Sequence, residues 1–230
     1  MNGKDLIDSL MYDLDKFQNL TTDTDYRTMA LDWINRIIDD IAAKQDQFHW
    51  RFLEATKTFS TVADQMSYDL PDDIDGYKIL SLRDKTNDRK YTFIDQDDLD
   101  KNVPDPSEST GSPYLYTLWA NALKLWPIPS SVFTAYLRYI KTMTTLQDNT
   151  TVTSEIPDKW KNVVLSGAKE LAYTFDKRFT EASLMAVKYA NGVNDMKIDN
   201  EMIIDRLITA KSHRRTKGRG RRGFVSPAGQ

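Results

Sequence analysis

The sequence predicts an α+β protein: an antiparallel or mixed helical bundle of about four helices, an inserted antiparallel β domain, and an extended C-terminal arm. Three observations carry this reading. Apolar residues recur at steps of three and four towards both ends of the chain. Between them, from Thr61 to Tyr139, the period falls towards two and turn residues separate the runs. After Lys211 the apolar pattern stops and the chain becomes basic. The expected divisions are 1–56 for the N-terminal helices, 57–142 for the β domain, 143–210 for the C-terminal helices and 211–230 for the arm.

Leu6, Ile7, Leu10, Met11, Leu14 and Phe17 share one face of a first helix. The polar stretch Thr21-Thr22-Asp23-Thr24-Asp25 offers N-cap oxygens to a second. Its broad stripe of Met29, Ala30, Trp33, Ile34, Ile37, Ile38 and Ile41 needs a partner helix, so the two are expected to pair as a hairpin. From Phe48-His49-Trp50 the aromatics thicken, and by Thr58 the period turns towards two. Thr61 to Pro71 reads as two alternating runs around an Asp/Gln turn, with Pro71 ending the second strand. Further strands are expected at Tyr77 to Leu82, Tyr91 to Ile94, Tyr114 to Trp119, Ala122 to Trp126 and Ala135 to Ile140. Ala120-Asn121 stands at hairpin distance between two of them, and asparagine tolerates the left-handed conformation such turns require. Asp95 to Ser112, acidic and rich in Pro and Ser, reads as a long loop.

Ile156-Pro157-Asp158 opens a third helix, with proline in the first turn where its missing N–H costs nothing. Trp160, Val163, Val164, Ala168, Leu171, Phe175 and Phe179 form its stripe, and Gly167-Ala168 would admit another helix at close range. Thr180 is placed to cap a fourth helix bearing Met185, Tyr189, Val193, Met196, Ile203, Leu207 and Ala210, with Asn191-Gly192 positioned to break or bend it. Residues 213–230 should be disordered when the protein is alone.

With 230 residues and 40% hydrophobic content the chain buries a core without staples. It contains no cysteine, which rules out disulfides, a thiolate nucleophile and thiolate metal sites, and suits a reducing cytoplasm. No apolar run approaches the roughly 18 to 20 residues of a bilayer span, so a soluble protein with no membrane partner and no export signal is expected. The sequons at Asn19 and Asn149 are set aside for that reason. The net charge of -3 conceals an asymmetry. Seven of the 31 basic residues lie between Lys211 and Arg222 without an acid; the other 24 face 34 acidic residues, a body near -10 carrying an arm of +7. The two parts should have different partners.

Catalytic chemistry is hard to assemble from these residues, and neither an enzyme nor a cofactor or metal is expected. Only His49 and His213 could serve a histidine-based site, and His49 between Phe48 and Trp50 reads as a hydrogen-bonded packing residue. A carboxylate pair such as Asp97 and Asp98 would need a metal, but Asp95-Gln96-Asp97-Asp98-Leu99-Asp100 fails as a calcium loop. Leu99 takes the place of an oxygen ligand, Asp100 that of the glycine and Pro106 that of the glutamate. A solvated loop or helix-capping turn fits the run better. Gly218-Arg219-Gly220-Arg221-Arg222-Gly223 matches G-x-G-x-x-G in letters only, because no strand enters it and no helix leaves it. Two uses of the basic arm remain: tracking phosphates, or folding into an acidic groove of another protein, where Phe224 and Val225 would add burial. The aromatics of the β segment alternate within strands and read as core and interface residues in preference to base-stacking platforms.

One resemblance joins these features. It rests on Trp33-Ile34-Asn35, Thr61-Val62-Ala63 followed by Tyr68-Asp69-Leu70-Pro71, Gly111-Ser112-Pro113 with Tyr116, Leu123-Lys124-Leu125-Trp126-Pro127-Ile128-Pro129, Tyr139, Leu146 and Ile156-Pro157-Asp158. In that order and spacing, over about residues 25–180, the chain resembles the head-to-tail adaptor (connector) proteins of tailed bacteriophages. Asp64 and Asn121 depart from the glycines expected in two turns, conservatively for turn geometry. The resemblance implies a virion structural protein at the portal vertex, in a homo-oligomeric ring of twelve copies that joins the portal protein to downstream tail proteins, with genomic DNA passing through the lumen. The arm would clasp the portal through Arg214, Arg215, Arg219, Arg221, Arg222, Phe224 and Val225. An acidic body would let DNA slide. The rival reading is a nucleic-acid-binding protein acting through the same arm.

Overall fold

The computed structural model describes residues 1–14, 24–103, 105 and 109–216, with side chains to residue 201. It is α+β and divides into two compact units, one built from Gly3–His49 with Pro157–Gln230, the other from Trp50–Ile156.

In the helical unit, α1 (Gly3–Asp13) buries Leu6, Ile7, Leu10 and Met11, and α2 (Thr24–Ala43) buries Ala30, Trp33, Ile34, Ile37, Ile38 and Ile41, as their periodicity requires. Phe17 and the expected cap residues Thr21 to Asp23 lie outside the described residues. The short α3 (Gln45–Phe48) closes on His49 in the left-handed region, φ 49°. A 3-10 turn, Asp158–Trp160, leads into α5 (Lys161–Phe175), after which α6 runs from Phe179 to Thr216. Helix α5 packs against α6, α2 and α1, so most of its surface is used within one copy.

Two glycines make those contacts possible. A Cβ on Gly167 of α5 would stand 2.8 Å from Ile37 Cδ1 of α2, the close approach expected at Gly167-Ala168. A Cβ on Gly192 of α6 would stand 2.6 Å from Val163 Cγ2 of α5. Of the break or bend expected at Gly192, the break does not occur; α6 runs through it, and Val163 fills the space of the missing side chain. Phe179 and Thr180 lie inside α6 rather than at the end of α5 and at a cap, and α6 continues past the expected end at residue 210. Polar ties complete the unit. Asp40 of α2 accepts hydrogen bonds from Lys44 and from the Tyr189 hydroxyl of α6. Asn200 Nδ2 donates to the Phe48 and His49 carbonyls, at 3.0 Å each.

The second unit contains two four-stranded sheets. In sheet 1 the order is β1 (Glu54–Ser60), β10 (Thr134–Lys141), β3 (Ile74–Asp84), β4 (Arg89–Lys90), all antiparallel. In sheet 2 it is β2 (Ser67–Asp69), β8 (Ala122–Trp126), β7 (Leu115–Trp119), β5 (Thr92–Phe93), with β5 parallel to β7. A parallel pair, β6 (Thr110–Gly111) and β9 (Ile128–Pro129), stands apart. The inward faces of both sheets meet in one core: Leu82, Ala135, Leu137 and Tyr139 from sheet 1, with Tyr68, Tyr116, Leu123 and Leu125 from sheet 2. Each sheet has one apolar face, and stacking removes both from water.

Three expectations need correction here. The runs around the Asp64 turn do not form a hairpin, because β1 pairs with β10 and β2 with β8 in the other sheet. The stretch expected as a long loop contains α4 (Gln96–Asn102). Asp95 caps it, its carboxylate accepting from Asp97 N at 3.0 Å, and Leu99 anchors it at 1% exposure. The described residues hold six α-helices where about four were expected, the extra two being the short α3 and α4. The motif residues Thr61, Tyr68 and Pro129 meet with Asp64 at one corner of the β unit. Thr61 Oγ1 accepts from Phe133 N at 2.8 Å, the Tyr68 hydroxyl donates to Gln65 O at 2.8 Å, and Asp64 N reaches Pro129 O at 2.8 Å while Asp64 adopts φ 61°. Ala120 and Asn121 both have positive φ, 52° and 60°, as a two-residue turn between β7 and β8 demands. The two departures from glycine thus occupy left-handed positions that Asp and Asn tolerate.

Candidate functional site

Among the described residues no group of three His, Asp or Glu side chains could hold a metal, and no helix is long and apolar enough to cross a membrane. The acidic run at Asp95 serves as a helix cap. His49 is exposed, against the packed position expected of it; its backbone donates to Gln45 O and accepts from Asn200 Nδ2. Tyr189, Asp40 and Glu155, whose ionisation is shifted, act as structural ties. Burial pushes the Tyr189 phenol well above its ordinary value, and its bond to Asp40 adds to this. For Asp40 burial acts upward, but the bonds from Lys44 and Tyr189 outweigh it and leave the carboxyl lowered. Glu155 follows the same logic: burial raises it, while Thr144 Oγ1 at 2.6 Å, Thr144 N at 3.0 Å and Lys141 Nζ at 2.9 Å pull it below the usual range.

Arg214 and Arg215 fall in the last turn of α6, and Arg219, Arg221, Arg222, Phe224 and Val225 lie outside the described residues. Residues 211–216, expected as the start of an extended arm, are therefore the end of a helix of 38 residues, ~57 Å long at 1.5 Å per residue. The outward face of α6 also carries exposed Leu184, Val187 and Ile198.

A second charged surface emerges from the strand register and was not legible as a unit in the sequence. Antiparallel partners project to the same side of a sheet. The register Thr58, Tyr136, Arg83, Lys90 runs across β1, β10, β3 and β4, and Thr56, Arg138, Ser81 forms the next row. Leu82 and Leu137 point the opposite way into the core, so these rows form the outward face of sheet 1. Arg83, Lys90 and Arg138 are all exposed. The turn after β3 adds Lys85, because buried Asp84 accepts from Thr86 N at 2.7 Å, Asn87 N at 3.1 Å and Asn87 Nδ2 at 2.7 Å and so fixes its shape. Arg83, Asp84, Lys85, Asp88 and Tyr136 line a cleft of about 370 Å³. Asp88 pairs with Arg83 at 3.2 Å, and Glu54 stands at the far end of β1. The Arg138 guanidinium lies over the Tyr136 ring, 5.6 Å from its centroid. Bonds with Thr56 and Arg138, helped by the Arg138 and Lys85 charges, hold the Tyr136 phenol below its ordinary value against the opposing effect of desolvation. This corner of an acidic body is locally positive.

No curated protein matches the chain. The family model described as SU10 adaptor protein does, over residues 1–216, which takes in both compact units and all of α6 but stops short of most of the basic arm. A match of that extent makes the chain a member of the SU10 adaptor protein family, the phage head-to-tail adaptors its motifs resemble.

Proposed function

We propose that this phage structural adaptor forms a ring of twelve copies beneath the portal, passes genomic DNA through its lumen and presents a docking surface to the tail proteins below. The observation that carries the reading is the family match over residues 1–216. The charge division supports it: an arm of +7 follows a body near -10, which is the polarity of an anchor that docks on a partner of opposite charge. Arg214, Arg215, Arg219, Arg221 and Arg222 would meet portal carboxylates, and Phe224 and Val225 would be buried beside them. Because the family match ends at Thr216, the roles of Arg219 to Val225 rest on the charge and apolar pattern of this chain.

The test is to mix the full chain with its portal ring and compare it with a chain in which the five arginines are replaced by glutamine. Sedimentation and particle imaging should show a twelve-fold layer for the first and none for the second. The rival reading, nucleic-acid binding by the arm, predicts instead that both fail to add a layer. Only the unsubstituted chain would then retain DNA, with a steep loss of affinity as salt rises.

A further inference from the structure

We infer that the outward face of sheet 1 is one half of a seam between neighbouring copies, and that its occupant is the acidic helix α4 of a second copy. The proposal deepens the ring reading above and rests on it.

The argument starts from where the two charged surfaces lie. Arg83, Lys85, Lys90 and Arg138 sit on the side of sheet 1 that faces away from sheet 2, since the two sheets share one core between them. Helix α4 packs against β7, which belongs to sheet 2. Asp95, Asp97, Asp98 and Asp100 at α4 are exposed, and among the described residues the cation that pairs with them is Lys101, 3.4 Å from Asp98. One β unit thus carries a basic surface and an acidic surface that do not face each other. Within a single copy they cannot meet.

A ring needs that arrangement. Its contacts are heterologous: each copy offers two different surfaces, and one must complement the other on its neighbour. The opposed charges supply a direction, because basic-to-acidic contact satisfies both surfaces all the way round, whereas any flipped copy sets like charges together. The cleft beside Tyr136 gives the seam a shape. It is lined by Arg83 and Lys85 together with Asp84 and Asp88, and at about 370 Å³ it has room for a carboxylate-bearing helix turn such as Asp97-Asp98, which would compete with Asp88 for Arg83. Arg138, whose guanidinium lies over the Tyr136 ring, adds a planar donor pair suited to a second carboxylate.

Two charge-reversed full-length chains test this. One carries Arg83→Glu and Arg138→Glu; the other carries Asp97→Lys and Asp98→Lys. All four positions are exposed. Each chain alone, mixed with the portal ring, should form closed rings at least ~10-fold less readily than the unsubstituted protein, since each faces itself with like charges. An equimolar mixture should restore rings containing the two chains in equal amounts, because alternating copies again set opposite charges together. A folding defect could not be repaired by mixing. If both single chains form rings as readily as the unsubstituted protein, the seam lies elsewhere. If both fail and the mixture fails too, the two surfaces do not face one another. If the sheet-reversed chain assembles normally but no longer retains DNA, the face serves nucleic acid and the proposal falls. Failure of the unsubstituted chain to form any ring would overturn the ring reading itself, an outcome separate from all of these.

Discussion

Gly192→Ala tests the packing of the helical unit most directly, because two opposing effects of known size decide its sign. In an open helix interior the substitution gains about 1 kcal/mol of helix propensity. Here the new methyl would lie 2.6 Å from Val163 Cγ2, 3.1 Å from Cγ1 and 3.3 Å from Cβ. The third distance matters most. It places the stem of Val163 in the way, and a β-branched side chain in a helix has essentially one rotamer, so no rotation clears the contact. Helices α5 and α6 must separate locally, and overpacking of this kind costs about 1–3 kcal/mol. The expected net effect is a loss of up to about 2 kcal/mol, read as a fall in the thermal midpoint of several degrees at about 2–4 °C per kcal/mol for a chain of this size. Val163→Ala alone should also destabilise, by removing two buried methyl groups. Combined with Gly192→Ala, it should recover at least about 1 kcal/mol relative to the sum of the two. A rise in midpoint for Gly192→Ala, or strict additivity in the pair, would refute the contact between α5 and α6.

Three further outcomes are expected. Tyr91 is 1% exposed, its hydroxyl has no partner among the described residues, and burial pushes its ionisation up with the Asp84 charge adding to it. Tyr91→Phe should therefore leave stability unchanged or raise it by about 1 kcal/mol in urea unfolding, and a loss of that size would reveal a bonding partner. Glu155→Gln removes the charge partner of Lys141 and should cost about 1–2 kcal/mol near neutral pH. Because the folded carboxyl is depressed, the contribution of Glu155 is complete above its ordinary value of 4.5 and disappears as pH falls through the folded value. The variant should therefore show a shallower acid limb than the wild type, and parallel limbs would contradict the assignment. Ala120→Asn relieves a left-handed alanine at φ 52° and should raise the denaturation midpoint by the equivalent of about 0.5–1 kcal/mol; a drop would mean the turn is not the one described.

What could be read from the sequence was local. The strands β3, β7, β8 and β10 announced themselves by alternation, and the turn at Ala120-Asn121 by its residue type, because each signal lies within a few residues. Pairing was not legible. Thr61 and Tyr68 stand seven residues apart yet hold strands of different sheets, since β1 finds β10 and β2 finds β8 far along the chain. Helix α4 was hidden by its composition: one apolar residue, Leu99, anchors it, and its acids resemble a loop until Asp95 is seen capping it. At Gly192 the local signal pointed the wrong way, because the residue reports on a neighbour, Val163, that no periodicity names. The basic face of sheet 1 has the same origin. Arg83, Lys90 and Arg138 become one surface only through the register. The arm, by contrast, is a contiguous run of charge and needed no fold to be seen.

An acidic lumen and a basic sheet face look incompatible, since lysines and arginines lining a channel would hold DNA back. The seam removes the conflict. If α4 of a neighbour covers Arg83, Lys85, Lys90 and Arg138, the positive charges are neutralised between copies, and the surface left for the lumen is drawn from the acidic remainder of the body. The same contact answers a second difficulty, the mutual repulsion of copies each carrying about -10 outside the arm. Over distances beyond a Debye length of ~8 Å at physiological salt that repulsion is screened, whereas the charges of the proposed seam would meet at contact distance and be screened far less. A seam made of a few exposed charge pairs is weak by itself, each worth about 1 kcal/mol or less. If the arm anchors each copy as proposed, copies held side by side on one portal would meet at a high effective concentration, where a weak, directional contact would suffice to close a ring. On this reading arm and seam divide the labour: the arm supplies affinity for the vertex, and the opposed charges of the β unit set the order and hand in which copies stand.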